Sequence, residues 1–354
     1  MLPFLPARGR DLRVLAGYAS FRKKVDESWF DRWLLGALQQ RPDDIILLFE
    51  LSWRCGATPQ TAAVIATKLR EGLVDERAAA LLANGRWGVD LPAEVLKIAL
   101  EALIGQGYLE SAASILEHRL KAHSDELKTW ESIGVGLATA GPLIRSAQMA
   151  NYYWKLLAKL YMAEHVAAIA HAIFREQADK STETWFVEHS EAASILYDCV
   201  ETDAGAVWNA LLPFLTEPGD AHLFVVGFPT GLLSQMPPHA VIDWIGAAPQ
   251  TRAAIVARMV SKDLASDEAL GARVLGAFGD LPHVGDAFFS AFVSGSWTGP
   301  ASGNWARLAG QLEDLGRRTL LPNLKRWAER SSRRLREMAE RDLEREAEES
   351  VLRR

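Results

Sequence analysis

Residues 91–120 read LPAEVLKIALEALIGQGYLESAASILEHRL, and this stretch decides the fold class. Its apolar residues come in adjacent pairs four apart: Val95 and Leu96, Ala99 and Leu100, Leu103 and Ile104. A doubled stripe of that period makes a helix with a wide apolar face, suited to packing against two neighbours at once. Pro92 marks the start, because a proline lacks only an N–H that the first helical turn leaves unpaired anyway. Gly105-Gln106-Gly107 breaks the pattern, and a second helical run follows over residues 108–120. The unit is a helical hairpin entered through proline.

The same grammar extends in both directions. Doubled stripes recur at Tyr152, Tyr153, Leu156, Leu157 and Leu160, and at Val207, Trp208, Leu211, Leu212 and Leu215. Prolines that open helices recur at Pro59, Pro142, Pro238, Pro249, Pro282 and Pro322, with breaks at Asn84-Gly85, Gly141 and residues 217–220. A second hairpin starts at Pro237-Pro238 and turns at Ala248-Pro249. Alternating strand-like runs are almost absent, and roughly eighteen helices are expected. The spacing of proline-marked starts is irregular, with several intervals of roughly 33 to 50 residues, a range that overlaps the period of two-helix solenoid repeats. The expected fold is all-α: a HEAT-like α-solenoid of irregular helical hairpins with a charged C-terminal helix, an irregular globular bundle being the competing shape. The expected divisions are N-terminal helices with a basic cluster (1–42), a helical-repeat array (43–293) and a loop with charged helices (294–354).

Composition narrows the function. The 354 residues are 49% hydrophobic and 24% charged, enough for a sizeable core. A net charge of −6 and a pI near 5.8 argue against a surface built wholly for nucleic acid. Cys55 and Cys199 have no metal-ligand spacing and read as reduced thiols, although Arg54 beside Cys55 is of the sign that lowers a thiol pKa. The opening Met1-Leu2-Pro3-Phe4-Leu5-Pro6 does not have the form of a signal peptide, and no run approaches the ~20 apolar residues of a membrane span. A soluble, cytoplasmic protein without membrane partners is expected. Twelve tryptophans stand out and are read first as core packing between helices.

The C-terminal third carries Phe278-Gly279-Asp280, Phe288-Phe289-Ser290-Ala291-Phe292, Ser294-Gly295-Ser296-Trp297-Thr298-Gly299-Pro300 and Asn323-Leu324-Lys325-Arg326-Trp327-Ala328. This run resembles the C-terminal end of HEAT-like helical regions in large bacterial multidomain proteins, several of them associated with phage defence. Those carry an NTPase or nuclease module, whereas this sequence has no phosphate loop ending in Gly-Lys-Ser/Thr. The resemblance implies a sensing or scaffolding part whose activity another subunit supplies.

Two features nominate a binding surface. One is the Gly/Ser loop of residues 294–303, where Trp297 and Trp305 either close the core or face a partner. The other is the tail, expected as one helix that is basic over residues 317–336 and acidic over 337–349. Its cations are Arg317, Arg318, Lys325, Arg326, Arg330, Arg333, Arg334 and Arg336, with i,i+4 pairs expected for Glu329/Arg333, Arg333/Glu337 and Glu337/Arg341. They read as a solvated helical face or as a stripe for an acidic partner or phosphates. Arg8, Arg10, Arg13, Arg22, Lys23 and Lys24 form a second basic cluster.

Chemistry finds few candidates. Glu164-His165, Glu188-His189 and His171 are a conceivable metal set, but neighbours on a regular helix diverge by about 100°. Asp43-Asp44 reads as an N-cap for the helix beginning at Ile45. No catalytic residue, cofactor or metal is assigned. The expected role is a non-catalytic scaffold or adaptor with a protein partner or larger complex. A nucleic-acid-binding subunit and an all-α enzyme with a central cavity are the alternatives.

Overall fold

The computed structural model describes residues 13–40, 45–83, 87–146, 149–178, 191–215, 228, 231–260, 264, 266–294 and 298–352. Among these the protein is all-helical, with no strand. The chain divides into two units, Met1–Ile173 and Phe174–Arg354.

The first unit contains α1 (Arg13–Val25), α2 (Glu27–Gln40), α3 (Ile45–Cys55), α4 (Pro59–Arg70), α5 (Glu76–Ala83), α6 (Ala93–Gly105), α7 (Leu109–Ala122), α8 (Glu131–Ala138) and α9 (Gly141–Arg145). Helix α10 (Met149–Ala178) follows. Packing runs between alternate helices: α1 on α3, α3 on α5, α5 on α7 and α7 on α9, with α2 on α4 and α4 on α6. The doubled stripe of α6 explains this, since Leu96, Ala99, Leu100 and Leu103 are all buried. The stripe of α10 is only half covered, with Leu157 buried but Tyr152 and Leu160 exposed.

Polar contacts between hairpins keep a steady register. Tyr108 Oη donates to Val74 O (2.6 Å), Ser114 Oγ to Ala83 O (2.8 Å) and Tyr161 Oη to Leu127 O (3.2 Å), joining residues 34, 31 and 34 apart. Lys23 Nζ donates to the carbonyls of Cys55, Gly56 and Ala57 at 3.3, 2.9 and 3.1 Å, closing the C-terminal end of α3. Arg119 is a polar anchor that makes four hydrogen bonds. Its guanidinium grips Glu126 at 2.7 and 2.5 Å and donates to Leu91 O (3.0 Å) and to Val89 O, tying the turn before α6 to α7.

The second unit contains α11 (Glu191–Leu215), α12 (Pro238–Gly246), α13 (Pro249–Met259), α14 (Leu270–Phe278), α15 (Pro282–Val293), α16 (Ala301–Arg318) and α17 (Pro322–Leu352). Helix α11 breaks at Asp203 (φ −156°, ψ 91°), whose carboxylate accepts from Ala206 N (2.9 Å) and so caps a new helical start. Alternate packing recurs as α12 on α14 and α13 on α15. The most extensive pairing is the antiparallel hairpin of α16 and α17.

Proline punctuation holds: Pro59, Pro238, Pro249, Pro282 and Pro322 each open a helix. Pro92 stands one residue earlier, as the N-cap of α6, and Gly141-Pro142 opens α9 where the glycine was expected as a break. Asp43 and Asp44, Asn84-Gly85 and residues 217–220 lie outside the described residues.

Several tryptophans serve packing with their N–H groups answered locally, whereas the buried Trp87 Nε1 has no hydrogen-bond partner among the described residues. Trp154 Nε1 donates to Ala138 O (2.7 Å), Trp130 Nε1 to Glu126 (2.8 Å) and Trp327 Nε1 to Gly285 O (2.9 Å), and all three rings are buried. Among the described residues one helical segment, Tyr152–Ala178, is long and apolar enough to cross a membrane by length and composition, where no such run was expected. Its mean hydropathy is 1.2 and half of its most apolar stretch is buried within the protein.

Candidate partner-binding surface

The basic stripe is divided by the fold. Arg317 and Arg318 end α16, where cations suit the helix dipole, and α17 begins only at Pro322. Between the helices Asp267 fixes the link, accepting from Thr319 Oγ1 (2.6 Å) and Leu320 N (2.8 Å). These bonds, the first largest, hold its carboxyl below the usual range.

Most of the stripe is answered internally. Arg317 pairs with Asp314, Arg326 with Asp280 (3.0 Å), Arg334 with Asp286 (3.5 Å) and Arg336 with Glu313 (2.6 Å). Arg318 donates to Leu264 O (3.3 Å). The expected carboxylate pairs along α17 are replaced: Arg333 and Arg341 donate to the carbonyls of Glu329 and Glu337 at 3.4 and 3.2 Å. Lys325, Arg330 and Arg333 stay exposed.

Trp305 does not present a surface. It is 8% exposed, and its Nε1 donates to Asp342 (2.9 Å), inside the hairpin. The expected loop is also shorter, because Ala301, Ser302 and Gly303 form the first turn of α16, held by Ser302 N and Oγ donating to Glu346 at 3.2 and 2.6 Å. Trp297 lies outside the described residues, as do Arg8, Arg10, Glu188 and His189.

What the fold builds instead is a groove of about 340 Å³ where the turn from α14 to α15 meets α17. Arg330 and Arg334 line one side, Asp280 and Asp286 the other, with Phe289 and Trp327 as its apolar wall. The Arg334 guanidinium lies 4.2 Å from the Phe289 ring centre. Trp327 is fixed by its bond to Gly285 and by edge contacts with Phe288 (6.1 Å) and Phe292 (6.5 Å). The tail cations were legible in sequence; the aspartates and Phe289 that complete the groove come from residues about 45 positions away.

In the first unit, Glu131, Glu164 and His165 bring ligand-type atoms within 4.8 Å of one another. Glu164 and His165 converge although adjacent on a helix, because α10 departs from helical geometry at His165 (φ −128°, ψ 24°). The Lys128 ammonium pairs with Glu164 and lies 3.6 Å from Glu131, so a cation already answers both carboxylates. At Cys55 burial outweighs the nearby cations and pushes the thiol up to about 11, while Arg54 pairs with Glu50 (2.9 Å).

No family model, curated protein or solved structure matches the chain.

Proposed function

We propose that the chain is a non-catalytic helical-repeat scaffold that binds a protein partner in the groove between α17 and the α14–α15 turn. Alternate-helix packing and the 31-to-34-residue hydrogen-bond register support a tandem two-helix repeat in the first unit. That register matches the short end of solenoid periods, about 33 to 34 residues. Stacked hairpins leave broad outer faces, the usual binding surfaces of such arrays.

The observation that carries the partner class is the groove's mixed charge. Arg330 and Arg334 face Asp280 and Asp286 beside the Phe289 and Trp327 rings. A phosphodiester backbone would meet both carboxylates and be repelled, whereas a polypeptide carrying both charges and an apolar side chain complements all three elements. Arginine and aromatic side chains are also the residue types that dominate protein interfaces. This favours protein over nucleic acid.

The test places a photo-crosslinking amino acid at position 330 of the full chain and maps the captured polypeptide in extracts of the native host. One discrete adduct, lost on Phe289→Ala and Arg334→Glu, is expected. Crosslinking only to nucleic acid, or adducts indifferent to both substitutions, would overturn the proposal.

A further inference from the structure

Trp327, Arg330, Ser331 and Arg334 stand at i, i+3, i+4 and i+7 on α17, so one helical face lines the groove with a ring, a hydroxyl and two guanidinium groups. Of the four charges that line it, Arg334 and Asp286 pair with each other, and Asp280 is taken by Arg326 through both carboxylate oxygens at 3.0 Å. The fourth is the exposed Arg330, which has no ion-pair or hydrogen-bond partner among the described residues. Beside it Ser331 is only 6% exposed, and its hydroxyl too is without a hydrogen-bond partner among the described residues. A hydroxyl buried to that degree and left open on a cavity is a donor waiting for an acceptor.

Both groups donate and one is a cation, so what they lack is an anionic acceptor. A carboxylate fits the pair, because its two oxygens can take the guanidinium fork and the hydroxyl together. Asp280 and Asp286 stand across the groove, and their repulsion is about twice as large for a phosphate dianion as for a carboxylate. The Phe289 and Trp327 rings set an apolar wall in the same groove. A volume of about 340 Å³ is at the small end of ligand sites, which suits one residue rather than a length of chain.

On the footing that the groove binds protein, we propose that it captures the carboxyl terminus of a polypeptide. The terminal carboxylate sits on Arg330 and Ser331, and the last side chain, an apolar one, lies on Phe289 and Trp327. In a terminal residue those two groups branch from one α-carbon, so a single residue satisfies the donors and the wall together. An internal acidic side chain answers only the donors.

The test is retention of the full chain on arrays of random hexapeptides ending in Leu, Ile, Val or Phe, each present as the free acid and as the carboxamide. Free acids are expected to bind about tenfold tighter than their amides, the size of one charge-assisted hydrogen bond. Arg330→Met removes that preference, Arg330→Lys keeps part of it, and Ser331→Ala weakens the acids roughly two- to fivefold. Arg341→Met, at an exposed cation further along α17 and outside the groove, leaves it intact. Acids and amides binding alike, or an acid preference that survives Arg330→Met, overturns the carboxylate; if that binding still falls with Phe289→Ala, the protein-binding reading stands without it. Retention of no peptide also overturns it and leaves the adduct at position 330 to judge the protein partner, since covalent capture accumulates even where Arg330 has been replaced.

Discussion

The ring of Tyr161 on α10 lies over the α-carbon of Gly134 on α8, so closely that a β-carbon on Gly134 would stand 2.1 Å from Tyr161 Cε2. The ring cannot retreat freely, because its hydroxyl is bonded to Leu127 O and burial encloses it. Gly134→Ala is therefore expected to destabilise the protein by about 1–3 kcal/mol, the usual cost of overpacking. The double variant Gly134→Ala, Tyr161→Ala should lose less than the sum of the single ones, measured by urea denaturation. Additive losses would show that the two residues do not meet.

Arg119 offers a second test. Its side chain is 7% exposed and serves two carbonyls and Glu126 together. Removing it strands those acceptors, and Arg119→Ala should cost about 2–4 kcal/mol. Arg119→Lys keeps the charge but loses the planar fork, so an intermediate loss is expected. The shift in urea midpoint reads both.

Glu313 predicts an acid limb. Arg336 first, and Ser332 second, hold its carboxyl at about 2, against an ordinary 4.5. A depressed carboxyl stabilises the folded form fully above its unfolded value, and that contribution disappears as pH falls from 4.5 toward 2. The wild type should lose denaturation midpoint between pH 5 and 3 more steeply than Glu313→Gln. The pair is exposed, so 1 M salt should shrink the difference.

Neither cysteine should react readily in the folded protein. Burial, the largest cause for each, pushes Cys55 to about 11 and Cys199 to about 12, so both are thiols at pH 8. Labelling by a thiol reagent at pH 8 is expected to be slow for both and to become fast on unfolding. Fast labelling of either in the native state would contradict that.

The sequence made the helices plain because their apolar stripes and opening prolines are local signals. Pro59, Pro238, Pro249, Pro282 and Pro322 needed no knowledge of distant residues. The bend at His165 was hidden, since Ala163-Glu164-His165-Val166-Ala167 contains no residue that interrupts a helix by itself. Asp203 is a legible cap, following Glu201-Thr202 and standing just before the doubled stripe that begins at Val207. The basic tail was visible as charge, but its state was not: Asp280, Asp286 and Glu313 reach Arg326, Arg334 and Arg336 from other helices. Trp305 resisted for the same reason, its partner Asp342 lying 37 residues on.

The similar span of three hydrogen bonds in Met1–Ile173 bears on how the chain is made. Tyr108, Ser114 and Tyr161 each find an acceptor already synthesised 31 to 34 residues before. Each closure spans a similar short loop, so its entropic cost hardly varies along the unit. On the ribosome, each hairpin can dock on its predecessor as it emerges, and none of these contacts waits for the carboxyl-terminal half to be translated.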